Sequence, residues 1–180
     1  MIKLKTLTVK NFLSVGNVTQ ALKFDQHGLT LVLGNNLDLG GDGSRNGTGK
    51  TTIVNALSFV LYGNALTNIR KDNLINKTNS KQMLVTCEFD CEGHSYRIER
   101  GRKPNVLRFI VDDKETDSLE TEEQQGENKE TQADIERILG MGHDMFKHIV
   151  ALNTYTEPFL SLKTNDQRDI IEQLLGITQL

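Results

Sequence analysis

Nine consecutive residues, Ser44-Arg45-Asn46-Gly47-Thr48-Gly49-Lys50-Thr51-Thr52, have the types and spacing to cradle a phosphate. Glycines let backbone N–H groups converge on one point, and a helix opening at Lys50 would add its positive end there. Lys50 would then reach the β- and γ-phosphates of a nucleotide, and the Thr51 hydroxyl would take a place on Mg²⁺. The usual pattern is G-x-x-x-x-G-K-S/T, and Ser44 stands at its first glycine. That replacement is mild if the backbone torsions are ordinary and costly if a positive φ is needed. The competing reading is a glycine-rich surface turn.

The flanking elements favour the phosphate loop. Leu29-Thr30-Leu31-Val32-Leu33 is an apolar run expected to form a buried strand entering the loop. Ile53, Ala56, Leu57, Val60 and Leu61 make one helical stripe that ends at Gly63. Between strand and loop lies an insert, Gly34 to Gly43, which must bulge outward or fold over the nucleotide. Its Asp38 and Asp42 lack the spacing and glutamate of an EF-hand loop.

Elsewhere the chain reads as short strands followed by helices. Met1 to Phe12 is strand-like, with a change of apolar phase between Leu4 and Leu7 that implies a bulge. Val18, Leu22 and Phe24 recur at even positions, and Asp25 to Gly28 is a turn. Gln82 to Phe89, Ser95 to Arg100 and Leu107 to Val111 read as an antiparallel meander. Cys87, Cys91 and His94 could be partial zinc ligands without a fourth, but the alternation of Val85, Cys87, Phe89 and Cys91 favours cysteines on the buried face of a hairpin. Helical patterning returns at Ile135, Ile138 and Leu139, and again from Asp144 to Leu152. A capping box, Thr164-x-x-Gln167, is expected to start a last helix with Ile170, Ile171, Leu174 and Leu175 inward.

The 180 residues are 37% hydrophobic, enough for one domain or a domain with an appendage. No apolar run is long enough for a membrane span, and the strand pattern at Met1 leaves no signal peptide, which implies a cytoplasmic protein. Charge is unevenly placed. Residues 112–136 hold eleven acids against two lysines, a balance of −9, whereas the other 155 residues carry 13 acids and 19 bases, +6. The stretch from 112 to 130 is expected to be an acidic flexible loop, and the basic remainder suits an anionic partner. Lys3, Lys5, Lys10, Arg70, Lys71, Lys77, Lys81, Arg100, Arg102 and Lys103 are candidates for a backbone-binding face on DNA, against the plainer reading of solvated cations.

A hydrolase of this type also needs an acid at the end of a second apolar strand. Only Phe109-Ile110-Val111-Asp112-Asp113 offers one, and its meander setting reads more simply as a hairpin edge. If it were the magnesium acid, the chain would be a self-contained phosphotransferase. A third reading is a DNA-tethering module that binds ATP without hydrolysing it.

The combination of a strand, Asn11-Phe12-x-Ser14, a second strand, Asn46-Gly47-x-Gly49-Lys50 and then Leu61-Tyr62-Gly63 resembles the SMC-like DNA-repair ATPases. It is similar in particular to the SbcC type and to the large subunits of T-even-type phage recombination endonucleases. Phe146-x-x-x-Val150 before Asn153, Phe159-Leu160-x-x-Lys163, Arg168 and Glu172-x-Leu174-x-Gly176 extend the likeness over the whole chain.

That resemblance implies an α/β fold: a P-loop NTPase half-head of ABC/SMC type, a mixed sheet with an antiparallel meander, ending in the start of a coiled-coil helix. Residues 1–163 would be the N-terminal lobe and 164–180 the first turns of the coil. It also implies the partners: the chain's own C-terminal half-head, a second head forming a homodimer around ATP and Mg²⁺, an Mre-type nuclease subunit, and DNA. Carried over onto this sequence, Asn46 to Thr52 wrap the phosphates, Lys50 is catalytic and Thr51 ligates Mg²⁺. Ser14 lies near the nucleotide. Asn153 takes the glutamine-loop position, one methylene shorter, as a catalytic and metal-binding group. Leu13 stands where many relatives have an arginine.

Overall fold

The computed structural model describes residues 1–24, 28–37, 47–115, 125–152 and 157–176. Strand β1 (Lys3–Lys10) lies between β2 (Gln20–Lys23) and β3 (Met83–Cys91); β4 (His94–Arg102), β5 (Val106–Val111) and β6 (Lys114–Glu115) follow outward in chain order. These ladders are all antiparallel. The register slips between Leu4 and Thr6, as the apolar phase change required, and this turns Leu7 and Val9 into the core.

Alternation in β3 is strict, with Met83, Val85, Cys87, Phe89 and Cys91 all buried. Glu92 and Gly93 take positive φ values of 52° and 87°, the backbone a two-residue hairpin needs to match strand twist. Both cysteines therefore face the core, and burial pushes the Cys87 thiol up to about 12. His94 lies outside, its Nδ1 2.6 Å from the Asp112 carboxylate. Asp112 also accepts from the Ser95 N–H at 2.9 Å, so it serves as a hairpin-edge residue.

Two helices cover the buried face. Helix α1 (Lys50–Tyr62) packs on β3 and β4 through Ala56, Phe59 and Val60; α2 (Gln125–Leu139) packs on α1 and β5, with Ile135 and Leu139 buried. The outer face of the sheet is polar, carrying the cross-strand ion pairs Lys5–Asp90 and Arg97–Glu88.

Four expectations need correction. Leu29–Leu33 form no strand, and Leu29, Leu31 and Leu33 are 102%, 78% and 65% exposed. The run has the composition of a buried strand, but among the described residues no neighbouring strand pairs with it. The acidic loop is shorter than 112–130: Asp112 and Asp113 turn β5 into β6, and α2 is helical from Gln125. Residues 116–124 lie outside those described. The segment from Asp144 is a single helical turn, α3 (His143–Met145), that widens into a π-helix at Phe146–Val150.

The last helix, α4 (Thr164–Leu174), has Lys163 at its N-cap with no side-chain cap. Gln167 instead donates to the Phe159 and Leu162 carbonyls at 3.1 and 3.0 Å. Only Ile170 is inward, while Ile171, Leu174 and Leu175 are 43%, 55% and 64% exposed. Within the lobe α4 meets α3 on one side only. Of the 164–180 segment, 177–180 lie outside the described residues.

Candidate nucleotide site

The sequence Gly47-Thr48-Gly49 turns into α1 through two left-handed glycines, with φ of 73° and 83°. Gly49 occupies the N-cap and so brings no side chain to the helix end, and the first turn carries no acid. The open end of the α1 dipole thus favours an anion. Lys50 Nζ donates to Thr48 Oγ1 at 3.3 Å, which folds the ammonium back over the loop. Thr51 is exposed at the mouth of the site, whereas Thr52 is buried beneath it. Asn55, also buried, holds this first turn by donating to the Thr51 carbonyl at 3.1 Å.

Ser14 arrives from the other side. Its Oγ lies 2.8 Å from Thr52 Oγ1, and a Cβ placed on Gly49 would come within 2.8 Å of that same oxygen. Gly49 is therefore required twice, for its torsion and for the approach of Ser14. The loop that presents Ser14 is tightly held. Asn11 and Leu13 take positive φ of 51° and 48°. The Leu13 N–H donates to Leu74 O at 2.7 Å, and Asn76 Nδ2 donates to Leu13 O at 2.9 Å. Asn11 is buried, donates through Nδ2 to Lys81 O at 2.9 Å and accepts from Asn79 Nδ2 at 2.8 Å. That network is the physical content of Asn11-Phe12-x-Ser14.

Two contacts fix α1 farther along. Ser58 Oγ donates to the Asn64 carbonyl at 2.7 Å and lies 3.0 Å from His143 Nε2, so the ring nitrogen is the donor. Desolvation, and then the nearby Lys147, hold His143 below the ordinary histidine range. At the C-terminal end, Arg100 Nε donates to Val60 O at 3.0 Å and its Nη2 to Gln132 Oε1 at 2.5 Å. Burial lowers that guanidinium to about 10. Arg100 is thus a cap for α1 and not part of a surface for DNA, which corrects the list of candidate cations. Arg102 and Lys5 are likewise engaged, with Asp72 and Asp90.

Among the expected site residues, Ser14, Gly47, Thr48, Gly49, Lys50, Thr51 and Thr52 come together at one helix end. Ser44, Arg45, Asn46 and Asn153 lie outside the described residues. Gly34 was not expected, yet a Cβ there would fall 1.9 Å from Thr48 Oγ1. Its place after the apolar run was the available signal.

Residues 6–179 match the family described as AAA domain. The chain belongs to that family. Within it, this AAA-domain chain is an SMC-like ATPase head lobe of the SbcC and Rad50 kind. It is 34% identical over 180 residues to "Exonuclease subunit 2" of Enterobacteria phage T4, covering 99% of this chain and 29% of that protein. It is 27% identical to the "DNA double-strand break repair Rad50 ATPase" of Methanocaldococcus jannaschii, covering 98% of this chain and 16% of that one. The chain therefore spans under a third of the length of these relatives. Its fold is that of the Smc head domain from Pyrococcus furiosus, with a TM-score of 0.66 at 20% identity, covering 99% of this chain and 43% of that chain.

Proposed function

We propose that this chain is the ATP-binding N-terminal half of the head of a DNA recombination or repair nuclease's ATPase subunit. The observation that carries this reading is the uncapped, acid-free N-terminus of α1, ringed by Gly47, Gly49, Lys50 and Ser14. These residues fit a nucleotide phosphate: left-handed glycines bare the backbone N–H groups, and Lys50 supplies the charge. Thr51 is the ligand this chain offers Mg²⁺, which when bound neutralises charge on the phosphoryl oxygens. Ser14 fixes the Thr52 end of the loop. Asn153, in the glutamine-loop position, would hold Mg²⁺ or a water through its amide oxygen.

Under this reading the chain grips ATP and the C-terminal half-head supplies the hydrolytic acids. Two such heads then close on ATP, and hydrolysis controls DNA-end binding and the access of an Mre-type nuclease subunit. The exposed run Leu29–Leu33, directly before the loop, supports a missing half that covers it. Its relatives' names, an exonuclease subunit and a double-strand break repair ATPase, support the setting.

The test is direct. The 180-residue chain with Mg²⁺ is expected to bind ATP and to lose binding on Lys50→Ala, with no turnover approaching the ordinary range of about 1–10³ s⁻¹. Turnover in that range by the chain alone would overturn the half-head reading, and equal binding by the Lys50→Ala variant would overturn the site.

A further inference from the structure

We infer that the first glycine of the phosphate loop is Gly34 and not Ser44, so that the loop is a split G-x-x-x-x-G-K-T motif interrupted by a ten-residue insertion. The inference deepens the nucleotide-binding reading above and rests on it. In a continuous motif the first glycine stands five positions before the second. Gly34 stands fifteen before Gly49, an excess of ten. Removing residues 36–45 leaves Gly34-Asn35-Asn46-Gly47-Thr48-Gly49-Lys50-Thr51, which fits the pattern at every fixed position.

Geometry singles out Gly34. A Cβ built on it would lie 1.9 Å from Thr48 Oγ1, 2.7 Å from Thr48 Cβ and 3.0 Å from Thr48 Cγ2. Real Cβ atoms do not approach so closely, so only a glycine lets the chain after the apolar run lie against the loop's middle residue. Residues 34 and 48 are thus the two ends of an excursion that leaves and returns to one place. A phosphate cradle needs that adjacency, because its first glycine and its lysine face the same anion. The nine-residue string that reads as the motif is therefore only its second part, and Ser44 belongs to the insertion.

Equilibrium binding of ADP with Mg²⁺ to the full chain tests this, with thermal unfolding as the check on folding. Gly34→Ala is expected to weaken binding by about tenfold or more. Because all three clashing atoms belong to the Thr48 side chain, adding Thr48→Gly to Gly34→Ala is expected to restore most of the affinity. Ser44→Ala and deletion of 36–45 are expected to bind within about threefold of the unaltered chain. Unchanged affinity in Gly34→Ala, no rescue by Thr48→Gly, or loss of binding in Ser44→Ala would overturn the inference. Lys50→Ala separates the two readings: if it loses binding while Gly34→Ala keeps it, the nucleotide site stands and the split loop falls. If the unaltered chain binds no nucleotide, both fall.

Discussion

Gly63 ends the helix that the phosphate loop begins, and Gly63→Ala measures how firmly that end is held. Two costs add. At φ of 72° an alanine pays the left-handed penalty, about 1 kcal/mol. Its methyl would also lie 2.8 Å from Arg100 Nη1 and 3.5 Å from Cζ. A free arginine could swing aside, but this one is tied to Val60 O and Gln132 Oε1, so moving it breaks a hydrogen bond from a charged donor. Such a bond contributes about 2 kcal/mol, giving about 3 kcal/mol in all. For a domain of this size the midpoint of unfolding should fall by about 6–12 °C. Gly140→Ala is the matched control. Gly140 ends α2 with the same left-handed torsion, φ 63°, and its N–H donates to Glu136 O at 2.9 Å, but a Cβ there meets nothing within 4 Å. It should lose only the first cost, about 1 kcal/mol. Thermal and urea unfolding followed by circular dichroism give both values. If the two variants differ by less than about 0.5 kcal/mol, Arg100 is not holding the end of α1, and the reasoning fails.

Two further outcomes follow from buried groups. Because the folded state holds His143 below its ordinary value of 6.5, the unfolded chain takes up that proton first as pH falls. Its contribution is complete above 6.5 and lost below it, so unfolding midpoints measured from pH 8 to 5 should decline less steeply in His143→Gln; an unchanged decline refutes the role. The buried Cys87 thiol, raised to about 12, should resist Ellman's reagent in the native protein and react only after denaturation, and rapid native labelling of Cys87 would contradict its place in the core.

What the sequence made legible was set by local chemistry. The β3–β4 hairpin could be read because strict alternation and Glu92-Gly93 specify it without reference to anything distant. The α1 stripe and its glycine stop were legible for the same reason. Arg100 was not, because a cation meeting helix carbonyls forty residues away leaves no local signature. The Asn11 network was hidden likewise, since its partners lie near residues 79–82. Gly34 was passed over because the motif is usually read as a continuous string, whereas the adjacency that identifies it is created by the fold. The capping box at Thr164 failed for a simpler cause: Gln167 found better acceptors in the Phe159 and Leu162 carbonyls.

The two places where periodicity demanded burial and the lobe does not supply it have a common meaning. Leu29, Leu31 and Leu33 lie in water beside the phosphate loop, and Ile171, Leu174 and Leu175 lie in water on α4. Burying a leucine is worth about 1.5–3 kcal/mol, so covering the first three alone would contribute roughly 5–9 kcal/mol. That is comparable with the whole stability of an ordinary domain. A pattern of that weight is not needed to hold the six-stranded sheet, whose core closes without it. It is accounted for if these residues are specified by a partner surface, with the first run completed by the other half-head and the second by the opposing strand of a coiled coil. On the proposed reading, the strand that feeds the phosphate loop becomes a strand only when the hydrolytic half arrives. The same contact that brings the missing acids would then also set Gly34 against the nucleotide.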